Sequence, residues 1–187
     1  MIIVNLRDKE NTATMSATDL ILPVVPKRYK EKVTSAIAKY ENEITEVLNA
    51  AHVHMETTRN RGLVPQSSDY LVIPRRIGSI YMRAGHQRYG RFGHSYWCLS
   101  SITLNDKICG KGMFTALIFG FIAIALKNKW IFSVENPLEL RLQKRLEDIG
   151  FECQSKDFLG CGTYYYLLPE EILVSPYPHA NIGMYGV

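Results

Sequence analysis

The sequence has few of the features that mark membrane, secreted or metal-binding proteins. Its longest apolar run, Met113–Leu126, has 14 residues, well short of the roughly 20 that cross a bilayer. The four cysteines, Cys98, Cys109, Cys153 and Cys161, show neither CxxC spacing nor histidines at zinc-finger distances. We therefore expect a cytoplasmic protein with reduced thiols, no metal site and no membrane insertion.

The first residues also lack the pattern of a targeting segment, because few apolar residues precede Arg7 and Asp8. With 187 residues and 47% hydrophobic side chains, the chain can bury a core without disulfides. We predict a single domain over residues 1–168. Residues 169–187 form an apolar tail that contains proline and glycine, and we expect it to lie across its own domain or against a partner.

Apolar spacing predicts one long helix near the start of the chain. From Lys27 to about His52, apolar residues recur at steps of four and three, which places them in one stripe. The stripe favours packing against the protein's own sheet, and a dimer seam is the alternative. Its members are Val33, Ile37, Tyr40, Ile44, Val47 and Ala51. Before it we predict a strand at Ile2–Leu6 and an irregular link at Ala13–Pro26.

Alternating and turn-bounded segments predict the sheet. Three antiparallel strands are expected at Tyr70–Ile73, Ser79–Ala84 and Tyr96–Leu104, joined by turns that contain glycine. We expect these segments to belong to one sheet.

A glycine turn stands directly before the longest apolar run. In the segment Lys107–Gly112, KICGKG, glycines at alternate positions let the backbone approach a ligand closely. The first turn of the following helix offers unpaired N–H groups and the positive end of the helix dipole. The segment therefore indicates a diphosphate site, and a tightly packed strand-to-helix turn is the alternative.

The segment Leu104–Phe151 resembles the acyl-CoA-binding half of the GNAT family of N-acetyltransferases. The family signature is Arg or Gln, two residues, Gly, one residue, then Gly or Ala. Here Lys107 stands at the Arg or Gln position, and Gly110 and Gly112 match the small residues. The resemblance implies an α+β fold with a mostly antiparallel sheet of six to seven strands, splayed between its fourth and fifth strands. The matching elements are the fourth strand (Tyr96–Leu104), third helix (Met113–Leu126), fifth strand (Ile131–Glu135) and fourth helix (Leu138–Ile149), closed by Gly150-Phe151. The resemblance also implies a final hairpin, which Glu152–Phe158 and Gly162–Leu168 fit.

The resemblance also implies acetyl-CoA as cosubstrate. In the family, the cofactor wedges between the splayed strands, and the bulged fourth strand pairs with its pantetheine arm. The residues expected to contact it are Ile102, Leu104, Lys107, Ile108, Cys109, Gly110, Lys111, Gly112, Met113 and Asn136.

Two positions depart from the family pattern. Leu146 stands where many members carry a tyrosine that protonates the departing CoA thiolate, and Glu139 where they carry an asparagine facing the cofactor. Asn136, one turn earlier, is the candidate to replace that asparagine. Some GNAT-like proteins of tailed phages also carry leucine at the tyrosine position, and this sequence is similar to them in that respect.

Direct acetyl transfer needs a base for the substrate ammonium, polarisation of the thioester carbonyl and a proton for the thiolate. Glu135, at the end of the predicted fifth strand, is the first candidate for the base. The alternative is an exposed glutamate at a strand end, or one that caps the next helix. Tyr164, the first of three tyrosines ending at Tyr166, is the candidate source of a phenol, although the sequence leaves open which of the three faces inward.

The region from Tyr70 to Asn105 contains five arginines and no Asp or Glu, in a chain whose net charge is only +4. Three interpretations remain open: a solvated face, contacts to CoA phosphate or an acidic substrate, and a platform for RNA or DNA with aromatic residues available for stacking. The five are Arg75, Arg76, Arg83, Arg88 and Arg91.

The sequence thus predicts an acyl-CoA-dependent N-acyltransferase that transfers acetyl directly to an amine in a ternary complex. One alternative is a catalytically degenerate GNAT-like binding or structural module, phage-encoded in origin. A second is an acetyltransferase directed at nucleic acid such as tRNA. The acceptor amine is not determined by the sequence.

Overall fold

The computed structural model describes residues 16–60, 67–71, 76–89, 92–135, 137, 139–156 and 162–166. Over these ranges, four α-helices and a 3₁₀ turn accompany one six-stranded sheet. In chain order the elements are α1 (Ala17–Ile21), a 3₁₀ turn (Leu22–Val24), α2 (Lys27–Asn60), β1 (Ser67–Leu71), β2 (Gly78–Tyr89), β3 (Phe92–Leu104), α3 (Met113–Asn128), β4 (Ile131–Glu135), α4 (Leu140–Ile149), β5 (Phe151–Lys156) and β6 (Gly162–Tyr166).

The sheet has the order β1-β2-β3-β4-β6-β5. Its pairs are antiparallel except β3 with β4, which run parallel. Parallel neighbours need a crossover, and α3 provides it between these two strands. The α+β class and the mostly antiparallel sheet expected from the sequence are confirmed.

A bulge interrupts β3. Tyr81 in β2 pairs with Ser101, whereas the next residue, Met82, pairs with Leu99, so Ser100 is the extra residue. An extra residue bends the strand and reverses the faces taken by the side chains that follow it. The bulge therefore changes which residues of β3 reach the core.

Helix α3 is apolar on nearly every side because it is buried between α2 and the sheet. From Met113 to Ala125 its residues are buried, apart from the half-buried Phe114. Gly120 allows α2 to approach closely, since a Cβ at this position would lie 2.4 Å from a methyl carbon of Leu48. The apolar run is thus a core helix.

Helix α2 extends eight residues beyond the end expected at His52, and non-helical angles at Tyr40 (φ −132°, ψ 30°) kink it. All six members of its apolar stripe are buried in the domain's own core. Near its end, the buried His54 accepts a hydrogen bond at Nδ1 from Trp97 Nε1 of β3 (3.1 Å). This bond joins α2 to the sheet.

The irregular link predicted at Ala13–Pro26 is wrong over residues 17–24, where α1 and the 3₁₀ turn lie. Pro23 lies in the first turn of the 3₁₀ helix, where the missing N–H breaks no hydrogen bond. Ala17 and Ile21 are buried in the core, so tertiary packing stabilises the short helix. The strand predicted at Ile2–Leu6 and the tail over residues 169–187 lie outside the described residues.

The segments around the glycine turn match the expected elements closely. β4 has the expected bounds, and α3 extends two residues beyond its expected end. α4 begins two residues later than expected and ends at Gly150 (φ 114°), whose N–H bonds to the carbonyls of Leu146 and Glu147. Among the described helices, none is long and apolar enough to span a bilayer.

Candidate functional site

An open cleft of about 430 Å³ lies where β3 ends and α3 begins. Its wall is built by β3, the glycine turn, the first turn of α3, α4 and one residue of α2. The lining residues are Lys32, Ile102, Leu104, Cys109, Gly110, Gly112, Phe114, Thr115, Glu139, Arg141, Leu142 and Arg145.

The two glycines of the turn adopt left-handed backbone conformations, with φ of 72° at Gly110 and 86° at Gly112. Residues other than glycine adopt these angles at a cost. Gly112 is the N-cap of α3 and has no side chain to bond the N–H groups of the first turn. Gly112 and Thr115 line the cleft, so this end of α3, where backbone N–H groups and the positive end of the helix dipole are found, borders it.

The two glycines have different surroundings. A Cβ at Gly112 would lie 3.1 Å from Cβ of Ala36 and 3.4 Å from the carbonyl oxygen of Lys32, so this glycine permits close packing against α2. A Cβ at Gly110 would meet nothing within 4 Å. The turn therefore serves both packing and access, and Gly110 is the position that opens to the cleft.

The turn satisfies several of its own polar groups. Asn105 accepts the N–H of Lys107 at its side-chain oxygen (3.1 Å), and its carbonyl accepts the N–H groups of Ile108 and Cys109. Lys111 donates its ammonium to the carbonyl of Lys107. These bonds hold the loop in shape without using the N–H groups at the start of α3.

Five of the predicted cofactor contacts line the cleft, namely Ile102, Leu104, Cys109, Gly110 and Gly112. Four others do not line it: Ile108 and Met113 are buried in the core, and the exposed Lys107 and Lys111 belong to the turn outside the lining. Asn136 lies outside the described residues. The structure thus brings together the glycines and the end of β3.

Three cations at the cleft were not predicted. Arg141 and Arg145 in α4 and Lys32 in α2 all line it with exposed side chains, and among the described lining residues Glu139 is the one acid. Arg141 and Arg145 are four residues apart on a helix, so they share a face, and that spacing was a usable signal. Lys32 reaches the cleft through the packing of α2, which no local pattern shows.

The predicted base, Glu135, lies in a second polar cluster. Its Oε2 accepts a hydrogen bond from Ser100 Oγ (2.9 Å) and forms an ion pair with Arg83 of β2. Arg83 also donates its Nε–H to Ser100 Oγ (2.8 Å). The Glu135 side chain is 21% exposed, and the N-cap of α4 is Glu139. Glu135 is therefore neither a freely solvated side chain nor the N-cap residue of the next helix.

This cluster occupies the sheet face opposite the core. Phe132 and Val134 of β4 belong to the core, so Ser133 and Glu135 alternate to the other face. Cys98 is the register partner of both Arg83 and Ser133. Burial raises the pKa of the Cys98 thiol, against the opposing effects of hydrogen bonds with Ser133 and Ser100 and of the Arg83 charge. The thiol therefore remains neutral near pH 7.

The two sites are joined by the strand pair β3 and β4. Their register ends at Leu99 with Val134, whereas β3 continues to Leu104. The stretch of β3 beyond the pairing leads from Ser100, at the carboxylate, to Leu104, at the cleft. At about 3.3 Å per residue, these four steps span roughly 13 Å.

Two other positions were considered for catalysis, one on β6 and one on α4. Tyr164 is the register partner of Val134, and Tyr165 that of Ser133, but the side chains of β6 are outside the described part. Leu146 is fully buried in the core and does not line the cleft, whereas Leu142 and Arg145 of the same helix do.

Two of the five arginines have defined partners. Arg76 forms an exposed ion pair with Glu46 of α2 (2.8 Å), and Arg83 is paired with Glu135. Arg75 and Arg91 lie outside the described residues, and Arg88 is placed by its backbone alone. A nucleic-acid platform on these strands stays a prediction.

Within the described ranges, no group of three or more His, Cys, Asp or Glu side chains is arranged to hold a metal ion. Comparison with known proteins adds no assignment: no protein-family model matches the sequence, and no curated protein is similar to it.

Proposed function

We propose that the protein is an acyl-CoA-dependent N-acyltransferase of GNAT type that transfers an acetyl group from acetyl-CoA to an amine. The observation that carries the proposal is the path along β3. It joins an anion-binding glycine turn at the N-terminus of α3 to a carboxylate at the end of the parallel neighbour strand, β4. A cosubstrate with phosphates at one end and a thioester at the other fits this arrangement.

The phosphate end is assigned to the cleft. Backbone N–H groups at the start of α3 face an anion there, and Lys32, Arg141 and Arg145 supply three positive charges against the single negative charge of Glu139. Cationic side chains bind phosphate oxygens through charge-assisted hydrogen bonds. This excess of positive charge is consistent with a diphosphate and a further phosphate, as in CoA.

The pantetheine arm is assigned to the stretch of β3 that extends beyond its pairing with β4. Among the residues that the structure describes, β3 past Leu99 pairs with none on the β4 side, so its backbone groups on that edge are assigned to an extended amide-containing chain. Ile102 and Leu104 line the adjoining cleft with apolar side chains. The bulge at Ser100 and the end of the pairing support the splay between these strands that the family resemblance implies.

The proposed chemistry takes place at the Glu135 end of that path. Glu135 removes a proton from the acceptor ammonium, and the neutral amine nitrogen forms a bond to the thioester carbonyl carbon. The carbon–sulfur bond then breaks, and CoA leaves as a thiolate that takes up a proton from solvent or from a tyrosine of β6, with Tyr164 as the candidate. A positioned base of this kind contributes about 10² to 10⁴ in rate.

Binding is tested by thermal unfolding with acetyl-CoA. At free ligand about 100 times its dissociation constant, binding adds roughly 2.7 kcal/mol to the free energy of unfolding, which raises the melting temperature of a domain of this size by about 5 to 10 °C.

The matched pair Gly110→Asp and Gly110→Asn distinguishes phosphate binding from an effect on the shape of the loop. Both side chains have the same size, tolerate left-handed angles and enter open space, but only Asp adds a negative charge. We expect Asn to retain more of the shift than Asp; equal shifts would contradict the assignment of the phosphates to this turn.

The buried Leu146 favours a second candidate, a GNAT-like module that binds acetyl-CoA without catalysis. At this position a tyrosine of the family type is absent, and the side chain present does not reach the cleft. A thermal shift with acetyl-CoA combined with no CoA release across a panel of amines would establish this module in place of the enzyme.

A further inference from the structure

Arg83, one of the five arginines singled out in the sequence, bonds to side chains of neighbouring strands. Arg83 of β2, Ser100 of β3 and Glu135 of β4 form a closed triangle of contacts across three adjacent strands. The Arg83 side chain is 37% exposed. A half-buried arginine with two defined contacts is held more firmly than a solvated surface charge.

The two donors converge on one oxygen of the carboxylate. Ser100 Oγ and the Arg83 guanidinium both contact Oε2 of Glu135. The hydrogen bonds within the described ranges include none to Oε1. The Glu135 side chain is 21% exposed, so part of the carboxylate group is accessible to a molecule that approaches this face of the sheet.

We propose that Arg83 is a positioning residue for Glu135, holding Oε2 together with Ser100 so that Oε1 accepts the proton of the acceptor ammonium. This inference depends on the proposed function. A base must lie within hydrogen-bond reach of the proton it removes, and a misplacement of about 1 Å costs roughly 10²-fold in rate. Arg83 acts through Glu135 and does not touch the reacting atoms.

The charge of Arg83 has a separate effect from its geometry. An adjacent cation stabilises the ionised form of a carboxylate, and Arg83 is the cation paired with Glu135. In the described part of the chain, the charged group paired with this carboxylate is Arg83 of β2. The neighbouring groups on β3 are the Ser100 hydroxyl and the neutral Cys98 thiol. On β6 the register partner of Glu135 is Thr163, which does not titrate. Loss of the Arg83 charge is therefore expected to move the acid limb of the activity profile to higher pH.

The test compares Arg83→Met, Arg83→Lys and the matched control Arg76→Met. Arg76 is an arginine that precedes β2 and whose partner is Glu46 of α2. We expect Arg83→Met to lower kcat by about 10- to 100-fold, to move the acid limb of kcat upward and to leave KM for acetyl-CoA nearly unchanged. Arg83→Lys retains the charge, so its acid limb should lie at the pH of the parent. Arg76→Met should have the kcat and the acid limb of the parent.

Ser100→Ala gives a second measurement if Arg83→Met folds poorly. It removes one donor to Oε2, and we expect kcat to fall by about 10-fold, the usual worth of one hydrogen bond to a charged group. The positioning role would be overturned if Arg83→Met and Ser100→Ala both kept the kcat and the acid limb of the parent while Glu135→Gln was inactive. The proposed function would stand in that case. Failure of the parent itself to bind acetyl-CoA or to turn over would overturn the proposed function.

Discussion

Replacement of Leu146 by tyrosine tests where α4 places its side chains. Many GNAT enzymes have a catalytic tyrosine at this position, but Leu146 is 0% exposed and belongs to the apolar core. A larger ring in a filled core costs about 1 to 3 kcal/mol. A buried hydroxyl without a partner adds about 1 to 3 kcal/mol. At roughly 2 to 4 °C per kcal/mol for this size, Leu146→Phe should lower the melting temperature by about 2 to 12 °C and Leu146→Tyr by more.

The assay is thermal unfolding of both variants together with CoA release from acetyl-CoA in the presence of amines. Leu146→Phe is the control, because it has the ring without the hydroxyl. Since neither ring reaches the cleft, turnover of the tyrosine variant should not exceed that of the phenylalanine variant. A tyrosine variant that is as stable as the parent and faster than the phenylalanine variant would refute this reasoning, because the position would then face the cosubstrate.

Two further predictions concern stability. Gly120→Ala places a Cβ 2.4 Å from a methyl carbon of Leu48, so we expect α2 and α3 to move apart and the free energy of unfolding, measured with urea, to fall by about 1 to 3 kcal/mol. Partial burial lowers the pKa of His52, with Lys127 adding to this effect and Glu56 opposing it. Because the unfolded chain then binds the proton more tightly, stability should fall as pH decreases through about 6.5, the unfolded value. His52→Gln should reduce that dependence in urea titrations, and an unchanged slope would show that another group causes it.

The local sequence determined most of the elements around the candidate site. The glycine turn before a long apolar run predicted the start of α3, and the family resemblance implied the bounds of β4 and the end of α4 at Gly150. These features depend on backbone angles and on the spacing of apolar side chains, which neighbouring residues fix. The stripe of α2 was recognised for the same reason.

Tertiary structure decided the contacts on which function depends. Arg83 and Glu135 are 52 positions apart in the sequence (135 − 83) and meet because β3 lies between their strands. Lys32 joins Arg141 and Arg145 at the cleft through the packing of α2 against the turn at Gly112. The bulge at Ser100 then sets which side chains of β3 face each side of the sheet. These contacts join residues that are far apart in the sequence and come together only when the elements pack, so no local pattern of residues predicts them.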